Sequence, residues 1–168
     1  MALVPKHIKQ LAPYISGKPI DEIKRTLGLK TVIKLASNEN PIGPSAKAMD
    51  SAERALFSVH RYPDSSGYKL RTKLSRKFDL NLENVIIGAG SEGIMSNIMR
   101  TFLRSGDEII SSLNSFIGFR VLADASGIQT HWVPMKNYHY DLNGIAACIN
   151  EYTKIIYLAN ADNPTGTY

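Results

Sequence analysis

Cysteine is almost absent from this sequence: Cys148 is the single one in 168 residues. One cysteine excludes a disulfide within the chain, and its position in a predicted helix favours a small buried side chain over a nucleophile. Such sparing use of cysteine is typical of proteins that work in a reducing compartment. We therefore expect a cytoplasmic protein.

Long apolar runs are also missing, and no stretch approaches the roughly 20 residues that a membrane-spanning helix needs. The first ten residues contain Lys6 and Lys9 but no apolar segment of the kind that forms the centre of a signal peptide. The sequence therefore predicts neither a membrane partner nor secretion.

Charge of one sign is not concentrated anywhere in the chain. Twenty basic and fifteen acidic side chains give a net charge of +5, but they are scattered, without a basic run and without interleaved aromatics. This distribution favours a mildly basic solvated surface over a nucleic-acid-binding one. With 43% hydrophobic and 21% charged residues, the composition is that of an ordinary globular chain.

From about residue 84 onward, short apolar runs alternate with segments of helical periodicity. Such a β-α-β alternation is typical of an α/β fold, in which a mainly parallel sheet carries helices on both faces. The predicted strands are residues 32–35, 85–87, 108–110, 130–133 and 154–158.

The tetrapeptide Asn163-Pro164-Thr165-Gly166 follows an apolar run that predicts a buried strand. Open α/β sheets bind their ligands beyond the carboxyl ends of their strands, which is where this tetrapeptide would lie. The same residues also suit a plain turn, because proline fixes φ and glycine accepts unusual angles. On local grounds both interpretations stay open.

A glycine-rich segment, residues 88–93, joins the strand predicted at 85–87 to a helix that begins near Ser91. Free N–H groups at a helix start can hold a phosphate, so this segment predicts either a phosphate cradle or a simple turn. It is not a dinucleotide fingerprint, because the third glycine is misplaced. Nor is it a P-loop, since no Gly-Lys-Ser/Thr follows.

An aromatic side chain, Phe116, comes shortly after the strand predicted at 108–110. An aromatic ring beyond a strand end can stack on a flat cofactor ring. A buried core position is the alternative for such a phenylalanine.

The order of these segments resembles the pyridoxal-phosphate-dependent aminotransferases of fold type I, and most closely the histidinol-phosphate aminotransferases. The segment Ser-Asn-Glu-Asn-Pro-Ile-Gly-Pro-Ser at 37–45 is the most specific match, whereas Asn-Pro-Thr-Gly is shared by the wider group. The matching segments span nearly the whole chain: residues 12–14, 34–45, 61–64, 88–92, Phe116 and residues 160–166.

The resemblance implies pyridoxal 5'-phosphate as the cofactor and assigns residues to it. The backbone at Ser91 and Glu92 is expected to hold the phosphate at a helix N-terminus. Phe116 is expected to stack on the pyridine ring, and Asn163 to hydrogen-bond the ring's 3-oxygen. Tyr62 is expected to reach the phosphate in the neighbouring subunit of a homodimer. No metal site is implied.

Two further residues, Tyr14 and Asn40, are expected by resemblance to lie near the amino-acid substrate. Each of these tyrosine and asparagine assignments has a plainer alternative. Tyr62 stands beside a proline and suits an ordinary turn, Tyr14 could pin a loop, and Asn38 and Asn40 are residue types that turns favour.

The resemblance also divides the chain into an N-terminal arm and small-domain segment, residues 1–44, and part of the large cofactor-binding domain, residues 45–168. In the family, the Schiff-base lysine, the carboxylate that pairs with the pyridine nitrogen and the arginine that holds the substrate all lie downstream of Asn-Pro-Thr-Gly. Asp162 is adjacent to that motif but does not match the ring-nitrogen carboxylate. We therefore expect no catalytic residue in these 168 residues and no transamination by them alone.

By resemblance, the complete protein is expected to be a transaminase that moves an amino group from histidinol phosphate to 2-oxoglutarate in histidine biosynthesis. Three alternatives stay open. The protein could be a related aminotransferase acting on aromatic amino acids, a non-catalytic phosphate-binding domain, or an association module that buries an open side against another chain.

Overall fold

The computed structural model of the chain describes residues 3–12 and 17–168. Tyr14, which was predicted to lie near the substrate, therefore falls outside the described residues. The chain divides into two compact units, Tyr14–Val85 and Met1–Pro13 together with Ile86–Tyr168. The predicted boundary between the arm and small-domain segment, residues 1–44, and the large domain, residues 45–168, stays a prediction.

Seven helices and three strands make up the regular structure of the described residues. The helices are α1 Lys6–Lys9, α2 Ile20–Leu27, α3 Ala46–Leu56, α4 Tyr68–Phe78, α5 Gly90–Phe102, α6 Ile117–Ser126 and α7 Leu142–Ala147, with a 3-10 turn at Leu82–Asn84. The strands are β1 Glu108–Ser112, β2 Gln129–Val133 and β3 Thr153–Tyr157.

The three strands form one parallel sheet in the order β2-β1-β3. In the central strand, Ile109 lies opposite Thr130 of β2 and Ile155 of β3. Helix α6 connects β1 to β2, and α7 connects β2 to β3. The predicted α/β fold with a parallel sheet is thereby confirmed.

The central strand is covered on both faces. Ile109 and Ile110 are both 0% exposed, and successive side chains of a strand point to opposite faces of the sheet. Ile110 packs with Val133 and with Ile145 of α7. Ile109 packs on the other face with side chains from α5, α6 and the residue after α5, namely Met95, Met99, Leu103, Phe119 and Ala123.

Two predicted strands are absent: within the described part of the chain, residues 32–35 and 85–87 belong to no strand. The carbonyl of Val85 accepts a hydrogen bond from Nε of Arg71 at 2.8 Å, and Ile86 is 78% exposed. An apolar run becomes a strand only where a neighbouring strand pairs with its backbone. Neither segment has such a neighbour among the described residues.

Within the unit formed by residues 14–85, the Asp64 side chain fixes the start of α4. The Asp64 carboxylate accepts hydrogen bonds from the Ser66 hydroxyl at 2.7 Å, the Ser66 N–H at 2.9 Å and the Tyr68 N–H at 3.0 Å. These bonds, the Ser66 hydroxyl foremost, lower the pKa of Asp64. They fix the conformation of the loop before α4 and orient the first turn of that helix.

Candidate functional site

Three loops leave the same edge of the sheet, because the carboxyl ends of parallel strands lie side by side. Ser115 follows β1, Tyr140 lies in the connection after β2, and Asp162 follows β3. The hydroxyl of Ser112, the last residue of β1, donates to the Val133 carbonyl of β2 at 3.0 Å. The ends of β1 and β2 are thus joined by a side-chain hydrogen bond.

Asp162 is the centre of this edge. Its side chain is buried, with 3% of the residue exposed. The hydroxyls of Ser115 and Tyr140 both donate to Oδ1 at 2.6 Å, and the Thr165 hydroxyl donates to Oδ2 at 2.9 Å. The Tyr140 oxygen in turn accepts from the Ala159 N–H at 3.0 Å. One carboxylate therefore joins all three loops.

The hydrogen bonds decide the charge of Asp162. Burial acts to raise its pKa, but the bonds from Ser115, Tyr140 and Thr165 outweigh burial and leave the pKa below its ordinary value. Burial, aided by the neighbouring Asp162, raises the pKa of Tyr140, so the phenol keeps its proton. The group is an ionised carboxylate that accepts hydrogen bonds from three hydroxyls.

The lowered pKa of Asp162 gives stability a defined pH dependence. A depressed carboxyl pKa stabilises the fold above the unfolded-state value of about 3.9 and ceases to do so as the pH falls through the folded-state value. We expect Asp162→Asn to unfold at a lower temperature than the parent protein near neutral pH, with the difference shrinking below about pH 4. Thermal unfolding of both proteins from pH 3 to 8 measures this; a difference constant across that range would contradict it.

Asn163 lies in a closed loop that begins at Asp162. The Asp162 N–H donates to the Thr167 carbonyl and the Gly166 N–H donates to the Asp162 carbonyl, both at 2.8 Å. Gly166 has φ +71°, a left-handed angle that favours glycine. The turn geometry predicted for Asn-Pro-Thr-Gly is present, and Asn163 sits half-buried within it.

The glycine-rich segment begins α5 without a side-chain cap. Gly90 has φ +69°, and a Cβ on Gly88 would lie 2.7 Å from Cδ1 of Ile94. The left-handed angle favours glycine at 90, and a larger residue at 88 would force the Ile94 side chain to move. No described residue accepts a hydrogen bond from the N–H groups of Ser91 and Glu92, which are exposed in the first turn of the helix.

Helix α5 follows the glycine-rich segment, and helix α6 follows Phe116. Both helices point their N-termini toward the edge of the sheet at which the strands end. The C-terminal parts of α5 and α6 line a cleft of about 620 Å³ together with Glu108 and Gln129, the first residues of β1 and β2. Because α5 has 13 residues, it is about 20 Å long. Its first turn therefore lies toward the opposite edge, where the strands end.

Phe116 directly precedes α6. Its half-buried side chain packs against the core cluster that contains Ile109 and residues of α5 and α6. A Cβ on Gly118 would lie 2.6 Å from Cε1 and Cζ of the Phe116 ring. Glycine at 118 thus lets the ring lie across the first turn of α6. The ring is both a core contact and partly accessible, so the geometry suits either of the two interpretations given for it.

Tyr62 and Asn40 belong to the other compact unit, residues 14–85. Tyr62 is fully exposed. The Asn40 amide donates to the Gly43 carbonyl at 3.1 Å, and its Oδ1 accepts from the Ile42 N–H at 3.1 Å. Asn40 therefore closes a local turn, as the plainer alternative predicted, and its place near the substrate stays a prediction.

The sequence patterns do not point to Ser115 or Tyr140, although both touch the buried carboxylate. Ser115 carries a weak signal, since it stands beside Phe116 shortly after a predicted strand. Tyr140 lies beyond a tight turn in which the backbones of Lys136 and His139 pair, and no sequence feature identifies it.

Within the described residues, no helix is long and apolar enough to span a bilayer. The same part of the chain contains no cluster of three or more histidine, cysteine, aspartate or glutamate side chains that could hold a metal ion.

A family model described as aminotransferase class I and II matches residues 30–168, which is most of the chain. The chain belongs to this aminotransferase family. It is similar over nearly its whole length to histidinol-phosphate aminotransferases. It is 43% identical over 169 residues to the enzyme from a species of Anaeromyxobacter and 42% identical over 161 residues to one from Mannheimia succiniciproducens.

These curated relatives are longer than the aminotransferase chain described here, which spans 46% and 44% of their respective lengths. Among solved structures, the histidinol-phosphate aminotransferase from Sinorhizobium meliloti in complex with pyridoxal-5'-phosphate is similar to the whole chain with a TM-score of 0.86 and 25% identity. The chain covers 45% of that structure. The fold predicted by resemblance, that of a fold type I aminotransferase, is confirmed.

Proposed function

We propose that the complete protein is a pyridoxal-phosphate-dependent aminotransferase that uses histidinol phosphate as amino donor and 2-oxoglutarate as acceptor. The observation that carries this proposal is the identity of 36–43% to histidinol-phosphate aminotransferases over essentially the whole chain. When bound, pyridoxal phosphate accepts the amino group of the donor and passes it to the 2-oxo acid. The pathway would be histidine biosynthesis.

The start of α5 would hold the cofactor phosphate. The N–H groups of Ser91 and Glu92 have no partner among the described residues, and the helix dipole favours an anion at this end. Gly90 adds no side chain in front of them, and a Cβ there would meet open space. These features fit a phosphate, whose oxygens accept several backbone hydrogen bonds at once.

Phe116 and Asn163 would orient the cofactor ring. The Phe116 side chain is fixed by the core on one side and is partly accessible on the other, as a stacking residue requires. The Asn163 amide would donate a hydrogen bond to the ring's 3-oxygen from a loop that closes on itself. Held in this way, the ring would keep one orientation while protons move at the substrate.

The remaining assignments are part of the same proposal. Tyr62 would contact the phosphate in the second subunit of a homodimer, and Tyr14 and Asn40 would lie near the amino-acid substrate. Residues 1–44 would belong to an arm and small-domain segment, and residues 45–168 to the large domain. The protein would work in the cytoplasm, without a nucleic-acid or membrane partner.

The test is a comparison of amino donors with the protein expressed from the complete coding sequence. Glutamate formation from 2-oxoglutarate should be most efficient, judged by kcat/KM, with histidinol phosphate. Phenylalanine, tyrosine and threonine phosphate are the matched alternatives. A higher kcat/KM for phenylalanine or tyrosine would replace the donor assignment with an aromatic one, and no glutamate with any donor would contradict the transaminase proposal.

A further inference from the structure

The buried carboxylate of Asp162 joins the two loops that carry the proposed ring contacts. Ser115, which donates to Oδ1 at 2.6 Å, is the neighbour of Phe116. Thr165, which donates to Oδ2 at 2.9 Å, lies two residues after Asn163. Asp162 itself is the neighbour of Asn163 on the other side. Each proposed contact residue is thus adjacent to a group that this carboxylate anchors.

The third donor, Tyr140, connects Asp162 to the loop after β2 and to the backbone just after β3. The Tyr140 hydroxyl donates a hydrogen bond to Oδ1 of Asp162 at 2.6 Å and accepts one from the Ala159 N–H at 3.0 Å. The three hydroxyls come from positions 47, 22 and 3 residues away from Asp162 in the chain. A displacement of any one loop would therefore leave a buried polar group without its partner, which is costly.

The same geometry excludes a direct contact between Asp162 and a bound molecule. The residue is 3% exposed, and both carboxylate oxygens already accept from hydroxyl groups. An effect of Asp162 on a ligand would have to pass through the residues that it holds in place.

We propose that Asp162 is a positioning residue, whose carboxylate fixes the Phe116 ring and the Asn163 amide relative to each other. This inference rests on the proposed function, because it concerns the residues assigned there to the cofactor ring. Networks of fully satisfied polar groups hold one arrangement of the segments that they join. Here the segments are the loops after all three strands.

The test uses the protein expressed from the complete coding sequence, prepared without cofactor and titrated with pyridoxal phosphate. Asp162→Asn should raise the dissociation constant about tenfold or more, the size of effect that loss of a residue orienting a ligand has at metal sites. It should also shift the absorption maximum of the bound cofactor at fixed pH. Ser115→Ala and Tyr140→Phe, which each remove one donor, should change both quantities in the same direction and by less.

Glu108→Gln is the matched control for loss of stability. Glu108 begins β1 at the opposite edge of the sheet, and its carboxylate contacts His131 and Asn150, each at 2.7 Å. Its thermal unfolding temperature should fall while the dissociation constant and the absorption maximum stay those of the parent protein. If Asp162→Asn lowers the unfolding temperature and leaves both cofactor readouts unchanged, Asp162 is structural only and the inference is wrong.

A double substitution tests whether Asp162 affects cofactor binding through Asn163. If Asp162 acts through Asn163, Asp162→Asn should change the dissociation constant much less in an Asn163→Ala protein than in the parent. Full additivity would overturn the inference. If Asp162→Asn fails to fold, Ser115→Ala and Tyr140→Phe carry the same comparison. If the parent protein does not bind pyridoxal phosphate, the proposed function fails, an outcome distinct from failure of the positioning role.

Discussion

Replacing Asn163 with alanine in the protein expressed from the complete coding sequence should weaken pyridoxal phosphate binding and slow turnover. A hydrogen bond to a charged group contributes about 1.5–3 kcal/mol, which corresponds to a roughly 10- to 150-fold increase in the dissociation constant. The loop itself should persist, because the backbone bonds of Asp162 with Gly166 and Thr167 do not involve the Asn163 side chain. Titration of the cofactor-free protein and steady-state kinetics measure the two effects.

Asn97→Ala is the control for this substitution. Asn97 is an exposed residue in the middle of α5, and no site role is assigned to it. We expect its cofactor affinity and kinetics to equal those of the parent. Unchanged affinity, spectrum and turnover in Asn163→Ala would remove Asn163 from the cofactor site and leave the motif as the plain turn that its geometry also supports.

Helical periodicity predicted the helices of this chain well. The apolar residues Leu70, Leu74 and Phe78 recur every four positions, the spacing of an amphipathic helix, and all three lie in α4. Gly127, with φ +70°, ends α6 in the left-handed conformation that makes glycine a helix stop signal. Such signals are local, because a helix forms its hydrogen bonds within its own segment.

Strands were less predictable, since a strand needs a partner that the local sequence does not specify. Strands were predicted at residues 108–110, 130–133 and 154–158. The first residue of each predicted strand is within one residue of the first residue of the observed strand. Residues 85–87 have an equally apolar sequence but no partner in the described chain. Pairing, and not apolar character, separates the two outcomes.

The backbone features of the candidate site could be predicted, whereas its buried network could not. Glycine at 88 and 90 and the Asn-Pro-Thr-Gly turn are visible in the sequence because they constrain the local chain. The partners of Asp162 are distant in sequence and of ordinary types, and they meet only because parallel strands end at one edge. Predicting them requires the sheet order, which places β1 between β2 and β3.

Tyr62→Phe should raise the dissociation constant of pyridoxal phosphate about tenfold or more, the size expected for loss of a hydrogen bond to a charged phosphate. The Tyr62 side chain is fully exposed, so removal of its hydroxyl breaks no contact within its own unit and should leave the thermal unfolding temperature unchanged. Tyr152→Phe, also at an exposed tyrosine, is the matched control. A change in unfolding temperature without a change in cofactor affinity would favour the turn interpretation of Tyr62.

Mixed dimers decide whether Tyr62 acts on its own subunit or on the neighbouring one. In a dimer of one Tyr62→Phe subunit and one Asn163→Ala subunit, a contact across the interface leaves one site with both groups intact and the other with neither. A contact within the subunit damages both sites. Because Tyr62 is assigned to the neighbouring subunit, we expect mixing and reassociation to restore high-affinity binding of pyridoxal phosphate at one site per mixed dimer. Absence of restored sites in verified mixed dimers would place Tyr62 outside the neighbour's site.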